Sequence, residues 1–376
     1  MRTFHHRGLG RPGFTLTEML VAIVIIVIVA AITAALVPRI GQQERAARGA
    51  DRLQRWLLIA KQRALSERTP VGLRLKPVDI PPLISPTPVN PGQQTVNVQT
   101  SGTVPSTGWP WRIQQGTPLL IADSTGTNLE LVRVTAATPT SFTATFNQPH
   151  STGFSITVLA YVTELEYIYQ PEPYRKGKYA GRETTLPGNW CKFEGADFLQ
   201  GGTFSANDPN APVQPGDYLE VYGGGLVTQI EQVVVSGGNE LLRTVSPTPD
   251  LSTGVKTENY RILRQPRLLQ GESPLKLPQD IVIDLALCQS ITMRIFQRTA
   301  FVELLFSPSG GLVGKGTTSE RVILWVRDAT LDSPMQGSPT LITIYAGTGL
   351  IAAHPVDTSP GGDPYAFTKD PRSSGL

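Results

Sequence analysis

Residues 11–37, RPGFTLTEMLVAIVIIVIVAAITAALV, constrain this chain more than any other stretch. One acid, Glu18, stands at the mouth of an uncharged run from Met19 to Val37. At about 1.5 Å of helix rise per residue, that run comes close to the roughly 30 Å hydrocarbon core of a bilayer. It is β-branched and apolar on every face, so it lacks the polar face of an amphipathic core helix. A helix of this kind belongs in lipid or in a bundle of its own kind. Arg2, Arg7 and Arg11 precede it with no acid among them. That bias holds the leader in the cytoplasm and sends everything after Val37 across the membrane.

Gly13 before Phe14 puts a small residue at the basic-to-apolar junction, where a peptidase can cut. Cutting there frees an amine on Phe14 within reach of Glu18 on a neighbouring chain. A carboxylate at the edge of an apolar run is costly unless paired. Amine and carboxylate desolvated together attract strongly enough to set the axial stagger of packed helices. The segment G-FTLTEMLVAIVIIVIVAA resembles the class III signal of type IV prepilins and pseudopilins. The resemblance implies that a prepilin peptidase cleaves after Gly13 and N-methylates Phe14, and that Glu18 guides filament assembly. An ordinary signal peptide, cut near Ala30-Ala31 or Ala34-Ala35, is the plainer reading. The run exceeds the 7–15 residues usual for a signal core and carries Glu18 at its entrance. A plain membrane anchor leaves Gly-Phe-Thr-Leu-Thr-Glu unexplained.

Beyond Val37 the helix is expected to kink or loosen at Pro38 and Gly41. It resumes with Ala46, Ala50, Leu53, Leu57, Ala60 and Ala64 at spacings of three and four, one apolar stripe bordered by Trp56. Arg48, Arg52, Arg55 and Arg63 fall largely on other faces. The stripe predicts packing on a sheet, Pro70 closes the helix, and Val71–Leu75 alternates as a first strand. This order resembles the H-type minor pseudopilins (the GspH/FimT type). The similarity resumes at Leu277–Asp284 and continues through Phe306–Gly311, Val322–Arg327 and Leu341–Gly349. The implied fold is α+β: a long N-terminal transmembrane helix packed on an antiparallel pilin-like sheet with a large β-rich insertion.

The expected divisions are a leader at 1–13, a transmembrane helix at 14–37, and an amphipathic helix with first strand at 38–76. A β-rich insertion then fills 77–265, the sheet continues over 266–355, and a flexible tail occupies 356–376. The insertion opens with an extended Pro-rich linker, PVDIPPLISPTPVNPGQQ. Alternating runs come next at Pro118–Ala122, Leu129–Thr135, Ser141–Phe146 and Phe154–Leu159. A second set lies at Asp217–Tyr222, Val227–Val235 and Tyr260–Leu263. Each set puts a G-x-x-L or G-D-Y-L strand before an alternating one, which suggests an internal duplication. Glu172–Arg182, with four cations and two tyrosines, reads as a solvated loop, and Gly223–Gly225 as a hairpin turn.

Composition narrows the function. Charged residues are 17% of the chain, with 36 Gly and 32 Pro, as in a turn-rich extracytoplasmic β domain. Net charge is +3, and the leader arginines account for it, so composition makes no case for nucleic acid. In the tail, Asp363 and Asp370 offset Lys369 and Arg372. Cys191 and Cys288 are the two cysteines. Beyond the membrane they could form one disulfide, or remain two buried thiols. Neither has metal-ligand spacing, and no cofactor is expected. His150 and His354 each sit beside Pro without a recognisable catalytic partner. Glu164 and Glu166 lie two apart on a strand with nothing to select them as a catalytic pair. Gly310–Gly316 is one residue short of a phosphate loop.

The expectation is a minor pseudopilin-like, non-enzymatic subunit of a type II secretion system in the inner membrane, with its head in the periplasm. Its partners would be prepilin peptidase, other pilin or pseudopilin subunits, membrane lipid and secreted cargo, with an assembly platform and secretion ATPase acting indirectly. The alternatives are a minor pilin of a type IV pilus serving adhesion or DNA uptake, or an anchored or secreted domain whose insertion binds or catalyses.

Overall fold

The computed structural model describes residues 16–78, 82–98, 113–124, 126, 128–138, 140–223, 225–236, 239–251, 255–296, 299–314 and 321–370. For residues 31–43 the description extends to the helical backbone alone. A single helix, α1 (Leu16–Glu67), runs through Pro38 and Gly41 without a break in its helical assignment. Its halves lie in different surroundings. From Leu16 to Val29 the large apolar side chains stand exposed. From Ala46 onward the helix is pressed onto a sheet, and the six stripe residues Ala46, Ala50, Leu53, Leu57, Ala60 and Ala64 are all at 0% exposure. Small residues bring the backbone close: a Cβ on Gly49 would lie 2.5 Å from Ile281 Cγ2. Arg48, Arg52 and Arg55 point to solvent, whereas Arg63 pairs with Glu272 at 2.6 Å and covers the Tyr167 ring.

In chain order the strands are β1 (Val71–Pro77), β2 (Leu83–Ile84), β3 (Gly92–Asn97), β4 (Pro118–Ala122), β5 (Leu129–Ala137), β6 (Ser141–Phe146), β7 (Ser155–Val158) and β8 (Tyr161–Tyr169). Then come β9 (Lys178–Glu183), β10 (Trp190–Glu194), β11 (Tyr218–Val221), β12 (Val227–Ser236), β13 (Asn239–Thr244), β14 (Tyr260–Leu263), β15 (Arg267–Leu268) and β16 (Leu275–Lys276). The last are β17 (Ile281–Asp284), β18 (Met293–Phe296), β19 (Thr299–Phe306), β20 (Arg321–Asp328), β21 (Thr340–Tyr345) and β22 (Leu350–Pro355). The main sheet is ten-stranded, in the order β18-β19-β1-β8-β17-β20-β21-β22, with β15 and β16 also paired to β8. Its core joins Leu53 and Leu57 of the helix to Leu73, Ile283, Leu324 and Ile342.

Residues 77–265, one insertion by sequence, are divided by β8, which lies between β1 and β17 in the main sheet. The first module, β2 to β7, is a six-stranded sheet around Phe142, Phe146 and Phe154. The second, β9 to β14, is another around Tyr179, Phe193 and Phe198. The expected linker contains β2 and the start of β3. The expected cationic loop contributes β9, with Tyr179 buried and Lys176 and Lys178 paired to Asp197 and Glu258.

The C-terminal segment, expected to be flexible, is tied down as far as residue 370. Tyr365 donates its hydroxyl to Leu287 C=O at 2.7 Å and stacks edge-on against Trp325. Arg321 and Tyr345 both donate to Thr368 C=O at 3.0 Å. A second device ties together β8, β17 and β20, three neighbouring strands of the main sheet. Arg327 Nε donates to Asp284 Oδ2 at 2.8 Å, and Arg327 Nη2 donates to the Tyr161 hydroxyl at 3.0 Å. Arg327 and Asp284 are both buried, so the pair is fully desolvated. Burial raises the Asp284 pKa, against the opposing pull of Arg327. Arg327→Leu is expected to cost about 3–5 kcal/mol by stranding a buried carboxylate, and Leu57→Ala roughly 2–5 kcal/mol through the cavity it leaves. Urea unfolding of the head measures both, and a loss under about 1 kcal/mol at either position would contradict this packing.

Candidate functional site

The free half of α1 is the feature that most needs a partner. Leu16 is 85% exposed and Ile26 65%, and the exposed apolar residues in between cover the full circumference. Fully burying one Val, Leu or Ile is worth about 1.5–3 kcal/mol. Several together rival the whole 5–15 kcal/mol stability of a domain. Lipid or other helices must therefore cover this surface. Among the described residues no helix is long and apolar enough to cross a membrane, and the described side chains of the run stop at Ala30. The membrane-spanning helix expected at 14–37 is thus represented by an exposed apolar helix beginning at Leu16. Glu18, also exposed, lies in its first turn. A carboxylate near a helix N-terminus is favoured by the macrodipole. Gly13 and Phe14 lie outside the described residues.

Residues 10–34 match the prokaryotic N-terminal methylation motif. The match spans Gly13, Phe14 and Glu18 and identifies a type IV pilin-like prepilin motif. It implies processing by a prepilin peptidase, assembly with other pilin subunits, and an N-terminus anchored through the hydrophobic segment. No curated protein and no solved structure matches the chain. The prepilin-type signal and the exposed helix therefore coincide on one element, with the head hung from its other end.

The other residues singled out by sequence are scattered. Cys191 and Cys288 are free and belong to different cores. Cys191 Sγ lies 3.1 Å from Thr248 Oγ1, and Cys288 Sγ accepts from Trp325 N–H at 3.4 Å. The disulfide reading is thereby replaced by two buried thiols. Burial pushes Cys191 up and Cys288 up to about 12, far from the depressed range of a nucleophilic cysteine. Glu164 pairs with Lys276 at 3.8 Å, and Glu166 lies opposite Arg74. In the glycine loop, Ser307 N–H donates to Gly311 C=O, closing a turn directly after β19. Residues 315–320 of that loop lie outside the described residues.

His150 has partners that sequence could not reveal. Its Nδ1 is 2.9 Å from Asp123 Oδ1 and its Nε2 is 3.1 Å from Glu130 Oε2. Glu130 Oε1 accepts in addition from the Asn147 main chain at 2.6 Å and its side-chain amide at 2.8 Å. His150, 2% exposed and flanked by Phe146 and Phe154, clamps the first module from within. The sequence separations of 27 and 20 residues leave no local pattern to read.

These placements have two measurable consequences. His150→Phe is expected to destabilise the first module by about 3 kcal/mol, because Asp123 and Glu130 lose a shared buried hydrogen-bond partner; thermal unfolding indistinguishable from the parent would contradict the clamp. The raised Cys288 pKa favours the neutral thiol, so its stabilising effect is intact below the ordinary thiol pKa near 9 and fades as pH rises toward 12. A loss on the order of 4 kcal/mol across that interval, reduced in Cys288→Ala, is expected from pH-dependent unfolding.

Proposed function

We propose that the chain is a minor pseudopilin of a type II secretion system, acting by assembly and not by catalysis. The observation that carries this reading is the exposed apolar half of α1, with Glu18 in its first turn. It is continuous with the half that is bonded into a folded head. After cleavage behind Gly13, the methylated amine of Phe14 would meet Glu18 of a neighbouring subunit, and the apolar helices would cover one another. Until then the segment would rest in the inner membrane with the head in the periplasm. Energy for extraction would come from a cytoplasmic ATPase through the assembly platform. The head, enlarged by its two modules, would contact other subunits or secreted cargo.

The pairing of four head lysines lends no support to the DNA-uptake alternative. Lys176, Lys178, Lys256 and Lys369 each have an acidic partner in Asp197, Glu258, Glu194 and Asp363. Paired cations make a poor electrostatic track for phosphates.

Glu18→Ala, expressed with the native secretion machinery, tests the proposal. Peptidase processing is expected to proceed, while recovery of the chain with other pseudopilins falls at least about ten-fold, as loss of one desolvated ion pair implies. Normal co-assembly of Glu18→Ala would overturn the assembly role. Recovery of the parent chain with a type IV pilus, and not with secretion pseudopilins, would move the protein to that machine.

A further inference from the structure

The two inserted modules share more than a strand count. The first is ordered β2-β7-β4-β5-β6-β3 and the second β14-β11-β12-β13-β10-β9, so five strands of each follow one order and the sixth, β2 or β9, joins at the opposite edge. The registers agree. Leu119 faces Val158 where Leu219 faces Ile262. Across the hairpins, Ala137 faces Phe142 where Val233 faces Leu242. The pairing slips at one place in each hairpin, between Val134 and Ala136 in the first and between Ile230 and Gln232 in the second.

The closest agreement lies at the turn that opens each hairpin, Gln114-Gln-Gly-Thr117 and Gln214-Pro-Gly-Asp217. Thr117 N–H donates to Gln114 C=O at 3.0 Å, and Asp217 N–H donates to Gln214 C=O at 3.2 Å. Gln114 N–H donates to Thr117 Oγ1 at 3.1 Å, and Gln214 N–H donates to Asp217 Oδ2 at 2.9 Å. Gly116 N–H donates to Val134 C=O at 2.8 Å, and Gly216 N–H donates to Ile230 C=O at 2.7 Å, both at the slip. The return bonds match as well, from Val134 N–H to Thr117 C=O and from Ile230 N–H to Asp217 C=O. Even the side chain over the turn is shared in role, since Arg133 caps Gly116 C=O and Gln229 caps Gly216 C=O. The glycines sit at φ 88° and 96°, which fits the third position of a type II turn, and Pro215 occupies the second position that such a turn favours.

These turns are also where each module meets the rest of the head. In the first, a Cβ on Gly116 would lie 2.6 Å from Ala286 C=O, just past β17. In the second, Asp217 accepts from Gln265 N–H at 2.7 Å and faces Arg267 of β15 at 3.5 Å. Arg267 in turn donates to Ala211 and Pro212 C=O. We infer that residues 78–160 and 170–266 are two copies of one module, and that the Gln-x-Gly-Thr/Asp turn seats each copy on the main sheet, so that each opens as a separate unit. At the fourth position Asp217 puts a carboxylate beside Arg267, where the first module carries the neutral Thr117.

Hydrogen exchange on the full-length protein in detergent tests this. Gly116→Ala is expected to speed exchange in β4 to β6 roughly ten-fold and to leave β11 to β13 unchanged, with Gly216→Ala giving the mirror result. Gln115→Pro, which copies the second module's turn into the first, is expected to slow exchange in β4 to β6 by about 2–5-fold. It imposes no forbidden φ and keeps the test decisive where a glycine variant fails to fold. Faster exchange in Gln115→Pro, or a glycine variant that opens both modules or neither, would overturn the inference.

Discussion

The seam between α1 and the main sheet is the contact on which the rest of the structure depends. It is made by alanines and leucines at helical spacing, and by a glycine where the backbone comes nearest to Ile281. Four of the six stripe residues are Ala, so the helix lies close and few side-chain rotamers have to be frozen. The consequence is mechanical. The half of α1 that carries Glu18 is a direct continuation of the half locked onto β1, β17, β20 and β21. A force or displacement applied to the free half reaches the head through continuous helix.

The main sheet tolerates large additions because each enters and leaves beside β8. The first module ends at Ala160, where Leu285 N–H donates to Ala160 C=O at 2.8 Å. The second leaves through Gln265 and Arg267 and pairs at once with the far end of β8. The first module packs on the main sheet through apolar contacts of Leu120 and Leu159 with Ala300, and the second is held by the buried pair of Asp217 with Arg267. Desolvated pairs of this sort contribute little net energy against an apolar substitute. They do penalise any arrangement that separates the partners.

Much of the fold was legible where the physics is local. The stripe Ala46–Ala64 has helical periodicity and is fully buried. Ser141–Phe146 and Tyr260–Leu263 alternate strictly and are strands with those bounds. The hidden part depends on distant pairing. β8 reads as a strand, and nothing within Tyr161–Tyr169 says that its partners are β1 and β17 and not β7. The Pro-rich stretch after Pro77 has linker composition, yet Leu83 and Ile84 pair with β7. The C-terminal segment is rich in Gly and Pro, but Tyr365 and Thr368 find partners on β20 and β21 and in the loop after β17. At the candidate site the prepilin-type signal was readable because its function is encoded linearly, around one scissile bond and one carboxylate. The Asp123–His150–Glu130 clamp was not, because its three members come from separate turns and strands.

The most direct test of the account is the mass of the N-terminus. In protein recovered from its native membrane, a mature chain beginning at N-methyl-Phe14, and absent in a Gly13→Val variant, is the predicted result. A chain that keeps Met1, or one cut near Ala34, would contradict it. Loss of the segment by cutting near Ala34 would leave the head without the helix half that Glu18 and the apolar run make useful, and the function would then have to be sought in the two modules.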